Sequence, residues 1–253
     1  MIPKRIHYCW FGEKEKPELV QKCIESWGRT MPDYEIVEWN ESNFDKDMFE
    51  YTRQAYSKKQ YSFVSDVARL FIIYNYGGIY LDTDVETIKR YDSFLGYEAF
   101  FGMESDGLIN TGIGFGAKKK CKVVKKMLDS YTNIEFVVDG KCDLTPCPIR
   151  NSEIMTNEGF RLKNDLEKHG NVVVFPSDYF NPKIAYGHSI DITENTYSIH
   201  HYAGSWLNPQ QIKRAILLNW IQKVFGDRLG LAIYKVFFAP YIIVSKIMER
   251  REK

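Results

Sequence analysis

Ser65-Asp66-Val67-Ala68-Arg69-Leu70-Phe71-Ile72-Ile73-Tyr74-Asn75-Tyr76-Gly77-Gly78-Ile79-Tyr80-Leu81-Asp82-Thr83-Asp84 is the stretch whose reading decides the fold. From Tyr61 to Tyr76, residues Phe63, Val64, Val67, Ala68, Leu70, Phe71 and Ile72 form a broad apolar stripe at helical spacing. Gly77-Gly78 supplies a stop, because glycine adopts the left-handed backbone that commonly closes a helix. Gly78 to Leu81 then reads as a buried strand running straight into Asp82-Thr83-Asp84. On an extended strand end the two aspartates alternate by two, so their carboxylates share one side. Paired hard oxygen ligands suit Mn²⁺ or Mg²⁺, which complete their shells with phosphate oxygens and water. A lone D-x-D occurs by chance in solvated turns. This one sits at the carboxyl end of an apolar strand, where α/β sheets bind ligands. Asp66 and Arg69, three apart on the helix, share a face. An unpaired charge there would be costly, so they form either a structural ion pair or part of a ligand cleft.

Working outward, Ile6 to Trp10 reads as a strand, Pro17 to Trp27 as an amphipathic helix and Tyr34 to Trp39 as a second strand. A strand, helix, strand opening predicts a parallel α/β sheet. Phe100 to Met103, Leu108 to Phe115, Val172 to Phe175 and Tyr197 to His201 are further expected strands. Lys118 to Tyr131 and Asn151 to Leu166 are expected helices. The boundary falls near Asn208-Pro209, giving a catalytic domain over 1–208 and a helical, amphipathic, basic tail over 209–253.

At 253 residues, 44% hydrophobic and 26% charged, the chain is an ordinary globular protein with one substantial core. Its 17 Tyr and 16 Phe would suit sugar and base stacking, though aromatics also simply fill cores. The net charge of +1 hides an asymmetry: residues from Gln211 onward carry nine Lys/Arg against three Asp/Glu, or +6, leaving −5 for the first 210. An acidic body argues against a nucleic-acid binder, and a basic tail points to an anionic surface. The tail is too interrupted to span a bilayer. It suits either a helix lying in the membrane interface or an ordinary helix packed on the body or in a homo-oligomer. Five cysteines show no paired zinc spacing, and the first residues lack a signal-peptide core, so a reduced, cytoplasmic setting on the inner face of the membrane is expected.

The run from Ser65 to Asp84 resembles the signature of glycosyltransferase family 32. That family includes yeast Golgi initiating mannosyltransferases and bacterial capsule enzymes, and it is related to the clostridial glucosylating toxins. The resemblance implies a GT-A, Rossmann-like mixed sheet flanked by helices, and extends over about residues 2 to 206. It implies that Asp82 and Asp84 hold a divalent metal and the donor diphosphate, and that Asp66 and Arg69 contact donor ribose and sugar hydroxyls. Ile6-His7-Tyr8-Cys9-Trp10 resembles the family's opening strand, whose tryptophan, here Trp10, would stack on the nucleobase; by itself Trp10 reads as core. Asn110-Thr111-Gly112 is similar to an element whose Asn binds the transferred sugar, although a plain bulge would look the same. His200-His201-Tyr202-Ala203-Gly204-Ser205-Trp206 resembles the closing element, which implies His201 as a metal ligand and places Ser205 and Trp206 near the diphosphate. Within the set, Asp84 and His201 are the expected direct ligands, with Asp82 closer to the donor sugar. Thr145-Pro146-Cys147-Pro148 departs from the family's Thr-Gly-Pro on the acceptor side.

The resulting expectation is a Mn²⁺- or Mg²⁺-dependent retaining hexosyltransferase. It would use a nucleotide sugar, UDP-galactose or UDP-glucose ahead of GDP-mannose, and a lipid-linked oligosaccharide acceptor in surface polysaccharide synthesis. The alternatives are a metal-dependent nucleotidyltransferase or phosphohydrolase and a non-catalytic sugar-nucleotide-binding protein.

Overall fold

The computed structural model describes residues 1–104, 107–183, 189–204, 209–234 and 236. Two compact units emerge: one comprises Met1–Pro182 with Ile192–His201, the other Lys183–Asp191 with Tyr202–Lys253. The division therefore falls after His201, where the sequence suggested 208, and the second unit also recruits the segment from Lys183 to Asp191. Part of the reason is a backbone tie, since Ser189 N donates to Asp227 Oδ2 at 2.6 Å.

The first unit opens with β1 (Arg5–Cys9), α1 (Glu18–Thr30) and β2 (Glu35–Trp39), as the alternation predicts. It continues with α2 (Glu50–Ser57), α3 (Tyr61–Tyr76), β3 (Gly78–Tyr80), β4 (Val85–Thr87), β5 (Ala99–Gly102), β6 (Phe115–Ala117) and α4 (Lys122–Asp129). A short hairpin, β7 (Val137–Val138) and β8 (Lys141–Cys142), leads to α5 (Cys147–Asn157), β9 (Glu167–His169), β10 (Val172–Phe175), α6 (Ser177–Phe180) and β11 (Ser198–His200). The second unit contains α7 (Pro209–Phe225).

Seven strands form one sheet in the order β2-β1-β3-β6-β5-β10-β9. β1 runs parallel to both β2 and β3, and β6 is antiparallel to β3 and β5. β5 and β10 are parallel, and β9 closes the edge antiparallel to β10. Strand alternation divides the core between the two faces. Tyr80, Phe101 and Phe115 join the cluster containing Val64, Val67 and Leu70 of α3, while Ile79, Leu81 and Phe100 join the one containing Trp27 of α1. The sheet is thus covered on both sides, as the near-continuous apolar strands require.

Several expectations shift. Of the strand expected over Leu108 to Phe115, only Phe115 belongs to β6. The residues before it form a loop held by Asn110, whose Oδ1 accepts from Gly112 N at 2.7 Å, a local bond that competes with a sheet ladder. The helix expected at Asn151 begins earlier, at Cys147, because prolines are tolerated in a first helical turn, and it ends at Asn157. Helix α4 spans only Lys122–Asp129 of the expected Lys118 to Tyr131. Asp82-Thr83-Asp84 lies in a turn, closed by Val85 N donating to Asp82 O at 3.0 Å, so the aspartates do not continue a strand.

On β1, the second strand from one edge of the sheet, His7 is buried and neutral. Its Nε2 donates to Gly77 O at 3.0 Å and its Nδ1 accepts from Trp39 Nε1 at 3.0 Å, which fixes the tautomer and ties three elements together. Burial lowers its pKa from the usual 6.5 to about 4, against a smaller raising influence from the Gly77 carbonyl. The unfolded chain therefore binds a proton at His7 that the folded chain refuses. The stability this site contributes is present above pH 6.5 and is lost as pH falls towards 4, by at most about 3 kcal/mol. Urea midpoints measured at pH 7 and pH 5.5 should fall on acidification, and His7→Asn should flatten that part of the dependence. A wild-type slope equal to that of His7→Asn would contradict the assignment.

Candidate active site

The parallel strands β1 and β3 both end at one edge of the sheet, and the loop after each carries candidate residues: Trp10 after β1, Asp82 and Asp84 after β3. Because β6 is antiparallel to β3, the loop that precedes β6, Asn110-Thr111-Gly112, arrives at the same edge. Helix α3 lies against β1 and β3 and brings Asp66 and Arg69 to it. The packing of β1, β3, β6 and α3 thus brings four separate stretches of sequence to one end of the sheet, in the place where open α/β sheets bind ligands.

Arg69 organises the site. Only 3% exposed, its guanidinium cannot shed its charge and must be paired where it lies. Nη2 binds Asp66 Oδ1 at 3.0 Å and Asp82 Oδ1 at 3.1 Å, Nε donates to Ser65 O at 3.1 Å, and the guanidinium stands 4.9 Å over the Tyr80 ring. The sequence left open whether Asp66 and Arg69 form a structural ion pair or face a cleft. The helix pair exists, and Arg69 also reaches across to the aspartate of the turn. Burial pushes the Asp66 carboxyl upward, Arg69 pulls it back, and Asp82 adds to the rise. For Arg69, burial works against the charged form, and Asp82, Tyr80 and Asp66 outweigh it.

Asp82 is further fixed by Tyr80, whose hydroxyl donates to Oδ1 at 3.1 Å, and by its backbone N donating to Gly112 O at 2.8 Å. The close approach explains the glycine: a Cβ at position 112 would lie 1.9 Å from Asp82 Oδ2 and 2.9 Å from Arg69 Nη1. Asn110 holds that loop through Gly112 N and through Glu104, whose Oε1 accepts from its Nδ2 at 2.7 Å. One amide hydrogen of Asn110 remains for another partner. Thr111 is buried, and its Oγ1 accepts from Asn151 Nδ2 of α5 at 3.1 Å.

Asp84 takes a different partner. β11 pairs with β4, aligning His200 with Val85, and the His200 Nε2 lies 3.3 Å from Asp84 Oδ1. The histidine beside Asp84 is therefore His200, where spacing suggested His201. His201 N donates to Asp84 O at 3.0 Å, while its ring meets Glu86 Oε2 at 2.9 Å. Side chains alternate along a strand, so a one-residue difference turns the ring to the other face. Burial alone would lower the His200 pKa, but Asp84, with Asp82 and Glu104 behind it, raises it above 6.5.

A divalent cation fits this pair. An octahedral ion with bonds of about 2.1 Å sets neighbouring ligands roughly 3 Å apart, close to the separation of Asp84 Oδ1 and His200 Nε2. Among the described residues no group of three or more His, Cys, Asp or Glu is arranged around one ion. Two protein ligands would leave several positions for phosphate oxygens and water, the mode usual for Mg²⁺ in phosphate sites.

Trp10 is half-buried at the end of β1, with Nε1 donating to Lys14 O at 2.6 Å and Lys16 Nζ 5.9 Å from the ring. Ser205 and Trp206 lie outside the described residues. Sequence reasoning missed Tyr80, Cys147 and Asn151 as members of the site. Cys147, at the start of α5, places Sγ 3.8 Å from Arg69 Nη1 and 4.0 Å from Thr111 Oγ1. Burial, then Asp66, pushes its thiol well above the usual range, so it packs as a neutral group. The unusual Thr145-Pro146-Cys147-Pro148 run was the signal available for it.

Residues 17–101 match the family described as glycosyltransferase sugar-binding region containing DXD motif. The chain thus carries such a region, and Asp66, Arg69, Asp82 and Asp84 all lie inside it. Inositol phosphoceramide mannosyltransferase 3 of Schizosaccharomyces pombe is 36% identical over 119 residues, covering 45% of this chain and 33% of that protein. Inositol phosphoceramide mannosyltransferase 1 of the same organism is 29% identical over 262 residues, covering 100% of this chain and 76% of that one. The chain spans about a third of the first relative's length. A solved structure described as PaToxG glycosyltransferase aligns with TM-score 0.48 at 19% identity, over 62% of this chain and 70% of that one.

The close contact at Gly112 yields a ligand-free test. Gly112→Ala should destabilise the fold by about 1–3 kcal/mol through overpacking. In an Asp82→Ala background much of that cost should vanish, a coupling of about 0.5–3 kcal/mol in a double-mutant cycle. Strictly additive effects on thermal or urea unfolding would show that Gly112 and Asp82 do not crowd one another.

Proposed function

We propose that this chain, whose residues 17–101 match a DXD-containing glycosyltransferase sugar-binding region, is a metal-dependent retaining hexosyltransferase using a nucleotide-sugar donor. The observation that carries the proposal is the placement of Asp82 on a buried arginine and Asp84 on a histidine. One turn then offers a fixed, charged cradle for sugar hydroxyls beside an oxygen–nitrogen pair for a cation.

When bound, Mn²⁺ or Mg²⁺ would offset the charge that builds on the leaving diphosphate. Asp84 and His200 would hold it, and His201 would support the turn through its backbone. Asp82, anchored by Arg69 and Tyr80, keeps a carboxylate oxygen for a donor hydroxyl, and Asp66 and Asn110 would line the same pocket. Trp10 would offer its ring to the base, and Ser205 and Trp206 would approach the diphosphate. The acceptor oxygen attacks the anomeric carbon as the carbon–oxygen bond to the diphosphate breaks, and the acceptor's proton passes to the departing phosphate oxygen. Asp66 and Asp82 each have an oxygen held by Arg69, and Glu104 has one held by Asn110, which supports same-face attack without a covalent enzyme intermediate.

UDP-galactose or UDP-glucose is the donor in this proposal. The names of the relatives, which specify mannosyl transfer, favour GDP-mannose as the competing reading. Those names also specify inositol phosphoceramide, a lipid, which supports a lipid-borne acceptor; in this proposal it is a lipid-linked oligosaccharide of surface polysaccharide synthesis at the cytoplasmic membrane face. No described helix is long and apolar enough to cross a membrane.

The three nucleotide sugars, offered with Mn²⁺ and a lipid-linked oligosaccharide, should give a product with retained anomeric configuration by NMR. Chelation should stop transfer. Asp84→Asn should lower kcat by about 10²-fold or more, the scale of losing a group that stabilises transition-state charge. An inverted product would overturn the stereochemical proposal, and nucleotide turnover indifferent to acceptor would favour the phosphohydrolase reading.

A further inference from the structure

Helix α7 turns one side inward and leaves the other bare. Leu218, Ile221 and Gln222 are buried, and the segment after the helix folds back and brings Gly230 against the Gln222 backbone. On the other side, Ile216, Trp220 and Val224 recur at intervals of four and are 63%, 58% and 54% exposed. At 100° per residue these three fall on one stripe, and the exposed Lys213 and Lys223 lie on the same side. Arg214 is exposed as well, and the helix has no acidic residue along its 17 positions. Beyond it, Phe225 and Leu229 are 49% and 57% exposed, next to the exposed Arg228.

An apolar stripe of this size needs an occupant, and its charges select one. In a two-fold pairing of copies the same surface meets itself, so Lys213 and Lys223 would be brought towards their own kind with no carboxylate on the helix to relieve them. A bilayer surface containing anionic lipid satisfies both features. Tryptophan and aliphatic side chains enter the headgroup boundary while lysines stay at the level of the lipid phosphates. Anionic headgroups also supply the charge that a protein partner would have to provide with a dedicated acidic surface.

We propose that the face of α7 formed by Lys213, Ile216, Trp220, Lys223 and Val224 is a docking surface for an anionic lipid bilayer. It gives a place to the membrane association put forward above. The surface would hold the enzyme where a lipid-borne acceptor lies.

The full-length protein should co-sediment with vesicles of phosphatidylcholine and phosphatidylglycerol, bind phosphatidylcholine alone far more weakly, and be released by salt. Trp220→Ser and the double variant Lys213→Glu/Lys223→Glu should each melt like the wild type. The charge reversal should weaken vesicle binding by at least about ten-fold, since each cation near the surface counts for several-fold. Transfer to a soluble acceptor should be unchanged in both variants. A protein that binds vesicles but transfers no sugar would leave this surface standing and remove the transferase reading. Equal binding by the wild type and the charge-reversed variant would overturn the proposal. So would a dimer, seen by light scattering, that Trp220→Ser dissociates.

Discussion

A permanently charged guanidinium buried in the protein interior is the constraint on which the site depends. Arg69 sits on α3 among Val67, Ala68 and Leu70, all fully buried, and leaving such a charge without a partner would cost several kcal/mol. Two carboxylates, a backbone carbonyl and an aromatic face answer it. Each brings a different element: Asp66 and Ser65 from the helix, Asp82 from the turn after β3, Tyr80 from the strand itself. Because Asp82 must reach Arg69, the turn has to lie hard against the loop before β6, and that loop must present a glycine there. Gly112 is a consequence of Arg69 as much as of any ligand.

The same constraint separates the two aspartates. Asp82 is tied to Arg69, while Asp84, two residues on, is left to the β4–β11 ladder and to His200. A D-x-D motif suggests a symmetrical pair of ligands. Here the geometry is unsymmetrical, one carboxylate serving a cation of the protein and the other suited to a cation from solution. That division gives the turn two tasks in the proposed transfer, holding the donor sugar and holding the metal, with Thr83 between them as spacer. Cys147 adds a further restraint: a neutral, buried thiol between Arg69 and Thr111 joins α5 to the assembly without disturbing its charge.

Much of this was legible in the chain. The helix from Tyr61 to Tyr76 matched its apolar stripe to the residue, because Gln60 and Gly77 bound a run with no internal breaker. Strand β10 at Val172–Phe175 was equally plain, four apolar residues in a row. Asp66, Arg69 and Asp82, singled out from the sequence, meet in one ion-pair cluster. What was not legible depended on contacts distant in sequence. The identity of the histidine beside Asp84 follows from the register of β11 on β4, which no local spacing encodes. The loop from Leu108 to Gly114 looked like a strand because Leu108, Ile109 and Ile113 flank it with apolar side chains, but Asn110 caps Gly112 and turns the chain. Tyr80 looked like a core residue, and it is one, yet its hydroxyl also reaches Asp82. The second unit's claim on Lys183–Asp191 could not be read either, since it depends on Asp227, far along the chain.

The central claim is that the cation belongs to Asp84 and His200 while Asp82 belongs to Arg69. Pulsed electron paramagnetic resonance of Mn²⁺ bound to the full chain, with a nucleoside diphosphate present, tests it directly. The account predicts a directly coordinated nitrogen signal that persists in His201→Gln and disappears in His200→Gln. Mn²⁺ binding should survive Asp82→Asn and fail in Asp84→Asn. A nitrogen signal that follows His201, or Mn²⁺ that stays bound without Asp84 but not without Asp82, would contradict it.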